Sequence, residues 1–257
     1  MDGFLLLDPQ VLVAALVAVF LVGLAKGGLG GALGILGVPI LSLVMSPVQA
    51  AGIMLPILIV MDWVSLWSWW GEWDKETLWM LLPGGLLGIA IGWATAALVS
   101  ESAVKLIVGV IALVFALNWL RGQLRRTQPE PRPHSRVRGT FWGTIAGYTS
   151  FVAHAGGPPY QVYALPLKQS PRVYTSTSVL FFAIVNAVKL IPFFALGQID
   201  VPNLEISAAL LPVGALATFL GARIVKRLNA EVFYPIMYSM VALVALKLIY
   251  DGWVELF

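Results

Sequence analysis

The chain has 257 residues, of which 59% are apolar and only 11% charged. Soluble domains run near about 45–50% and about 25%, and a soluble chain of this length needs a polar exterior that these residues do not furnish. Lipid is therefore the expected solvent, and the absence of cysteine excludes disulfide and thiolate–metal chemistry. The formal net charge is +3, yet six of the sixteen Lys and Arg residues crowd one short linker, which reads as membrane topology and not as a nucleic-acid face. Acidic Asp2 and Asp8 stand where a cleavable leader carries basic residues, so no such leader is expected.

Apolar runs predict ten segments. The first two, 9–25 and 29–45, are short and flank Gly23-Leu-Ala-Lys26-Gly27-Gly28-Leu-Gly30-Gly31-Ala-Leu-Gly34, with Pro39 beyond. Glycines let backbone approach a ligand closely, and a helix starting after them aims free N–H groups and its positive dipole end at an anion. The same glycines read equally well as a close helix contact. Lys26 is a candidate ligand for the anion, against the plainer reading that it reaches back to the membrane surface.

The next run, 50–70, holds Asp62, an intramembrane carboxylate that could accept a proton or pair with a lysine. Trp63, Trp67, Trp69, Trp70 and Trp73 fit an aromatic belt at a membrane boundary. Run 78–98 carries Gly84, Gly88 and Gly92 at a spacing of four, a signature of close helix packing. Run 103–120 follows, with Lys105 near its end; Lys105 and Lys247 read as interfacial. Residues 121–138, RGQLRRTQPEPRPHSRVR, are too polar and proline-rich for lipid and form an exposed linker.

Runs 140–154 and 156–167 are again short and broken, here by Tyr148-Thr149-Ser150-Phe-Val-Ala-His154-Ala-Gly156-Gly157-Pro158-Pro159-Tyr160-Gln161. His154 can donate to an oxyanion or carry a proton, and a structural histidine bonded to a carbonyl is the plainer reading. Tyr160 and Gln161 add donors. Run 173–196 holds Asn186 and, one turn later on the same face, Lys189. Runs 206–222 and 231–250 complete the chain.

The two halves match. A shift of 124 brings Gly23 onto Gly147, Val38 onto Val162, Ser46-Pro47 onto Ser170-Pro171 and Asp62 onto Asn186; a shift of 129 then brings Leu82-Pro83 onto Leu211-Pro212, Gly85 onto Gly214 and Gly92 onto Gly221. Ordered matches at near-constant spacing indicate a duplication, with residues 1–120 as the first membrane repeat, 121–138 as the linker and 139–257 as the second repeat. Five segments per half makes the repeats inverted. With the linker in the cytoplasm, thirteen of the sixteen basic residues lie inside, whereas four crossings per half would send Lys168, Arg172, Arg223, Lys226 and Arg227 outward. Parity leaves open whether the short pairs cross fully or turn back as hairpins.

No HExxH, GxSxG or Walker pattern occurs, and two histidines cannot build a multi-histidine metal site. The chain is thus expected to be an all-α polytopic membrane protein of two inverted repeats, and not an enzyme. It resembles the TauE/SafE family of sulfite and organosulfonate exporters through GLAKGGLGGALGILGVPIL in half one, HAGGPPYQVYALP in half two, the basic linker and the Leu-Pro-x-Gly segments. That resemblance implies secondary transport of a small sulfur-containing anion such as sulfite or sulfoacetate. Half two departs from the commoner glycine-rich form, which alters the donors offered to the ligand.

The expected binding residues are Lys26, Gly27, Gly28, Gly30, Gly31, His154, Gly156, Gly157, Tyr160, Gln161, Asn186 and Lys189, with Asp62 and His154 coupling protons. The mechanism expected is alternating access in the cytoplasmic (inner) membrane, the two motifs meeting near the midplane. No cofactor is expected. The partners are a small inorganic or organosulfur anion and the lipid bilayer, with no nucleic acid; a homodimer is left open. A membrane-embedded enzyme and a non-transporting anchor subunit are the rival readings, and the latter requires a sealed apolar bundle.

Overall fold

The computed structural model describes residues 8–29, 34, 36–95, 98–125, 130–196 and 201–256. Gly30 and Gly31 of the first motif lie outside the described residues. Among those described, ten α-helices and no strand occur. They are α1 (Pro9–Leu24), α2 (Gly37–Leu41), α3 (Pro47–Ser68), α4 (Lys75–Thr95), α5 (Glu101–Leu124), α6 (Arg136–Ala153), α7 (Gly157–Ala164), α8 (Pro171–Ala195), α9 (Val201–Val225) and α10 (Ala230–Leu256). A π turn, Ala25–Leu29, follows α1, and a 3₁₀ turn, Leu165–Leu167, follows α7.

The starts of these helices are set by side-chain caps, which satisfy amides the first turn leaves free. Ser46 accepts from the Gln49 amide at 3.2 Å and Ser170 from the Val173 amide at 3.3 Å, two caps related by the shift of 124. Ser100 accepts from the Ala103 amide at 3.3 Å and Asn229 from the Val232 amide at 3.0 Å, two caps related by the shift of 129. Helix α5 runs on to Leu124 and α6 begins at Arg136, so the helices consume both ends of the expected 121–138 linker.

Seven stretches among the described residues are long and apolar enough to cross a membrane: Pro9–Leu29, Gln49–Ser68, Lys75–Thr95, Glu101–Leu124, Pro171–Ala195, Val201–Val225 and Ala230–Leu256. The remaining helices explain the difference from ten. At 1.5 Å per residue, α2 rises only about 8 Å and α7 about 12 Å, against about 30 Å of hydrocarbon. Helix α6 rises about 27 Å, but it exchanges apolar bulk for glycine and hydroxyl residues that fit it against α4. His134 before α6 and Gln169 after α7 both reach Asp74, so this pair leaves and rejoins the same end of the bundle.

Helix α4 packs on α6, and α1 with its π turn packs on α9; α3 meets both α8 and α9, α8 meets α4, and α5 lies along α10. Exchanging each helix for its counterpart in the other half returns the same set of contacts. Glycine makes the closest of them. A Cβ on Gly84 or Gly88 would strike the carbonyl of Thr140 or Thr144, and one on Gly147 would strike the carbonyl of Gly85. The repeat-related pair behaves alike: a Cβ on Gly23 would lie 3.0 Å from the carbonyl of Gly214. In lipid, where apolar side chains gain little by clustering, such backbone approach is a main source of helix association. Val13, Ile107, Leu117 and Leu216 stay exposed on helix flanks, a surface that acyl chains cover.

Candidate functional site

The first broken segment is held open by α3. Gly28, at φ 128°, ends the regular path of α1 in a backbone conformation that suits glycine, and the carbonyls this releases find partners on one face of α3. The Lys26 carbonyl accepts from Ser65 Oγ at 2.9 Å, and the Gly27 carbonyl accepts from Trp69 Nε1 at 3.0 Å. Asp62 shares that face, three residues before Ser65 and seven before Trp69. Its Oδ1 lies 2.5 Å from Lys26 Nζ, and its Oδ2 accepts from Asn186 Nδ2 at 2.7 Å. Asp62 is buried at 3% exposure, and the aromatic face of Phe182 lies 5.9 Å from the Lys26 ammonium.

The second broken segment is held by α8. Helix α6 stops at His154, which takes the left-handed conformation at φ 50°, uncommon for a residue with a side chain. Thr149 closes the helix end: its carbonyl accepts from the Ala155 amide at 3.0 Å, and its hydroxyl lies within donating distance of the Ala155 carbonyl at 3.1 Å. Lys189 of α8, only 1% exposed, donates to the Ser150 carbonyl at 2.8 Å and lies 3.3 Å from Ser150 Oγ and 3.5 Å from His154 Nδ1. Among the described residues its hydrogen-bond partners are all neutral groups.

Both broken segments face one cavity of about 90 Å³. At about 30 Å³ per water, it has room for about three water-sized groups, the scale of a small oxyanion. Of the residues singled out in the sequence, Lys26, Gly28, His154, Gly156, Gly157, Asn186 and Lys189 line it, and Asp62 stands directly behind Lys26 and Asn186. Three others lie elsewhere. Gly27 is committed to α9, where a Cβ would strike the Thr218 carbonyl. Tyr160 is buried among Tyr174, Phe181 and Phe182. Gln161 is also buried, and among the described residues neither of its amide atoms makes a hydrogen bond of ordinary geometry, with the Tyr174 phenol as a neighbour.

The structure adds lining residues that the sequence reading did not single out: Ser150, Tyr174, Thr175 and Ser178. Thr175 is 2% exposed, and its hydroxyl has no hydrogen-bond partner among the described residues. A signal existed, since Tyr174-Thr-Ser-Thr-Ser178 is a run of hydroxyls opening an otherwise apolar segment. One expectation is corrected. Trp63, Trp67 and Trp70 are exposed as a belt requires, but Trp69 is 1% exposed because its indole N–H is used on Gly27.

The linker end of the bundle carries a separate polar cluster. Asp74 Oδ2 lies 2.9 Å from His134 Nε2, and it accepts from Thr77 Oγ1 and Gln169 Nε2, both at 2.6 Å. Burial opposes ionisation of Asp74, but hydrogen bonds from Thr77, His134 and the Glu76 amide outweigh it and hold the carboxyl below its ordinary value. Arg132 also donates its amide to the Pro166 carbonyl at 2.9 Å. Residues 130–135 of the linker are therefore tied to the helices.

Ammonium groups buried inside a lipid-embedded bundle are expensive, and membrane transport proteins are where such groups, set around an internal hollow, have a use. Residues 15–248 match the family model described as Sulfite exporter TauE/SafE. The chain belongs to the TauE/SafE family, whose members are membrane transporters and not enzymes. No curated protein and no solved structure matches it.

Proposed function

We propose that this protein is a secondary transporter that moves sulfite or a short organosulfonate, such as sulfoacetate, across the cytoplasmic membrane by alternating access. The observation that carries the reading is that one lysine from each half of the chain, Lys26 and Lys189, lines the same small cavity. Two ammonium groups favour an anion, and the neutral donors around them suit a tetrahedral oxyanion. An ammonium facing Nδ1 of His154 puts the imidazole proton on Nε2, which can then donate to the solute. The unclaimed hydroxyl of Thr175 and that of Ser178 supply further donors.

In this reading the halves are inverted repeats about an axis near the Asp62–Asn186 contact, with the linker end in the cytoplasm. The contacts that survive exchange of the halves support it, as does the concentration of Arg and Lys at that end. Rocking of α1–α5 against α6–α10 would open the cavity to each side in turn. The polar hollow also speaks against a sealed anchor subunit.

The test is flux of radiolabelled sulfite and sulfoacetate into proteoliposomes. Saturable flux that falls at least about tenfold in His154→Ala supports the reading. No flux of either anion, or unchanged flux in both His154→Ala and Lys189→Met, refutes it.

A further inference from the structure

We infer that the cavity selects its solute by charge: with Asp62 ionised it takes a monoanion, and with Asp62 protonated it takes a dianion together with that proton. This rests on the transport reading above and goes beyond it in assigning the charge class of the solute and the group that couples a proton to it.

The inference begins with a count of charges. Lys26 and Lys189 line the cavity, and Asp62 is bonded to the first of them. Helices α1 and α2 contribute no charged side chain, and Glu205 and Arg223 of α9 are exposed. Asp62 is the only charged residue of α3, and α8 presents Lys189, the Asn186 amide, the Tyr174 phenol and the hydroxyls of Thr175 and Ser178 to the site, with Arg172 exposed. His154, with Lys189 at its Nδ1, adds no further positive charge. With Lys26 and Lys189 both taken as ammonium ions and Asp62 as a carboxylate, the site carries a single positive charge in excess.

An excess charge inside lipid is costly, and a solute of one negative charge removes it with no change in the protein. A dianion would overcompensate. Once Asp62 takes a proton from solvent, its attraction for Lys26 is lost, Lys26 turns its N–H groups to the solute, and the cavity holds two positive charges for two negative ones. Asn186 keeps its amide on Oδ2 in both states, so the carboxyl does not need to move. The two modes balance identically: a monoanion alone, or a dianion with one proton, each carries one net negative charge per cycle.

Methanesulfonate and sulfate separate the two modes, because they share a tetrahedral shape and differ by one charge. Wild-type protein in proteoliposomes with an internal pH dye should move about one proton with each sulfate and none with methanesulfonate. Asp62→Asn imitates the protonated side chain permanently. It should abolish the proton movement and raise the ratio of sulfate to methanesulfonate flux by about tenfold. Equal proton counts for the two anions in the wild type overturn the inference alone, whether or not the variant folds. An unchanged flux ratio in a folded Asp62→Asn protein also overturns it. If sulfite moves but neither sulfate nor methanesulfonate does, this inference fails and the transport reading stands; if sulfite does not move either, both fail.

Discussion

Asp62 and Asn186, 124 residues apart and at positions that the sequence shift of 124 aligns, hydrogen-bond to each other at 2.7 Å in a buried contact between α3 and α8. In the inverted-repeat reading proposed above, such a contact between matching positions lies at the axis relating the halves. Lys26 is bonded to the other oxygen of Asp62, the one close ion pair of the cavity among the described residues.

Removing the carboxylate should therefore be felt in stability. Asp62→Ala leaves the Lys26 ammonium without its counter-charge in a largely buried place, a change that typically destabilises by about 3–5 kcal/mol. Thermal unfolding in detergent should show the loss, and combining it with Lys26→Met should recover most of it. A melting temperature equal to wild type in the single variant would show that the pair does not hold the π turn.

Lys189 should behave in the opposite way. It is buried, and its hydrogen-bond partners among the described residues are neutral, so Lys189→Met removes a desolvated polar group while keeping most of the volume, and stability should hold or rise. Anion flux should nonetheless fall at least about tenfold, because the cavity loses its excess positive charge. Preserved flux would remove Lys189 from the site.

The glycine contacts make a steric prediction. Gly147→Ala drives a methyl group into the Gly85 carbonyl where α4 and α6 are closest, and forced separation of packed elements costs about 1–3 kcal/mol. Among the described residues nothing lies within 4 Å of where a Cβ on Gly34 would go, so Gly34→Ala is the control and should melt close to wild type. Equal melting of the two variants would refute the packing account.

The Asp74 cluster predicts a pH dependence with a definite sign. The folded carboxyl is held below its ordinary value of 3.8, so its contribution is fully present above that value and is lost as pH falls through the lower folded value. Proteolysis within 130–135 should accelerate over that acid window. His134→Ala removes one of the groups holding the carboxyl down, so the acceleration should begin at higher pH. An unshifted onset would mean that His134 does not clasp the loop.

Trp69 ties the π turn to α3 through one hydrogen bond to the Gly27 carbonyl at 3.0 Å. Trp69→Phe keeps the ring area and deletes the donor, leaving a buried carbonyl less satisfied at a cost of about 1–3 kcal/mol. Denaturation of the purified protein measures it, and a wild-type midpoint would show that water replaces the bond.

Much of this protein is written locally along the chain. Composition alone demands lipid, because no fold can hide that many apolar residues from water. Asp62, His154, Asn186 and Lys189 stood out as polar groups inside apolar runs, where a side chain needs a partner or a task. The paired shifts of 124 and 129 were visible as ordered matches, and the helix caps fall on them.

Partnership was not readable in this way. That Lys26 would bond to Asp62, Lys189 to Ser150, and Trp69 to Gly27 depends on how each helix is rotated and where it crosses its neighbour. A soluble helix betrays its inner face by an apolar stripe, but a membrane helix is apolar all round and carries no such mark. The hydroxyls of Thr175 and Ser178 became site residues only once α8 turned them toward the hollow that the two broken segments share. Hydropathy sums along one dimension and so determined what the chain dissolves in; the pairing of charges is settled by rotation and crossing in three, and only the folded bundle decided it.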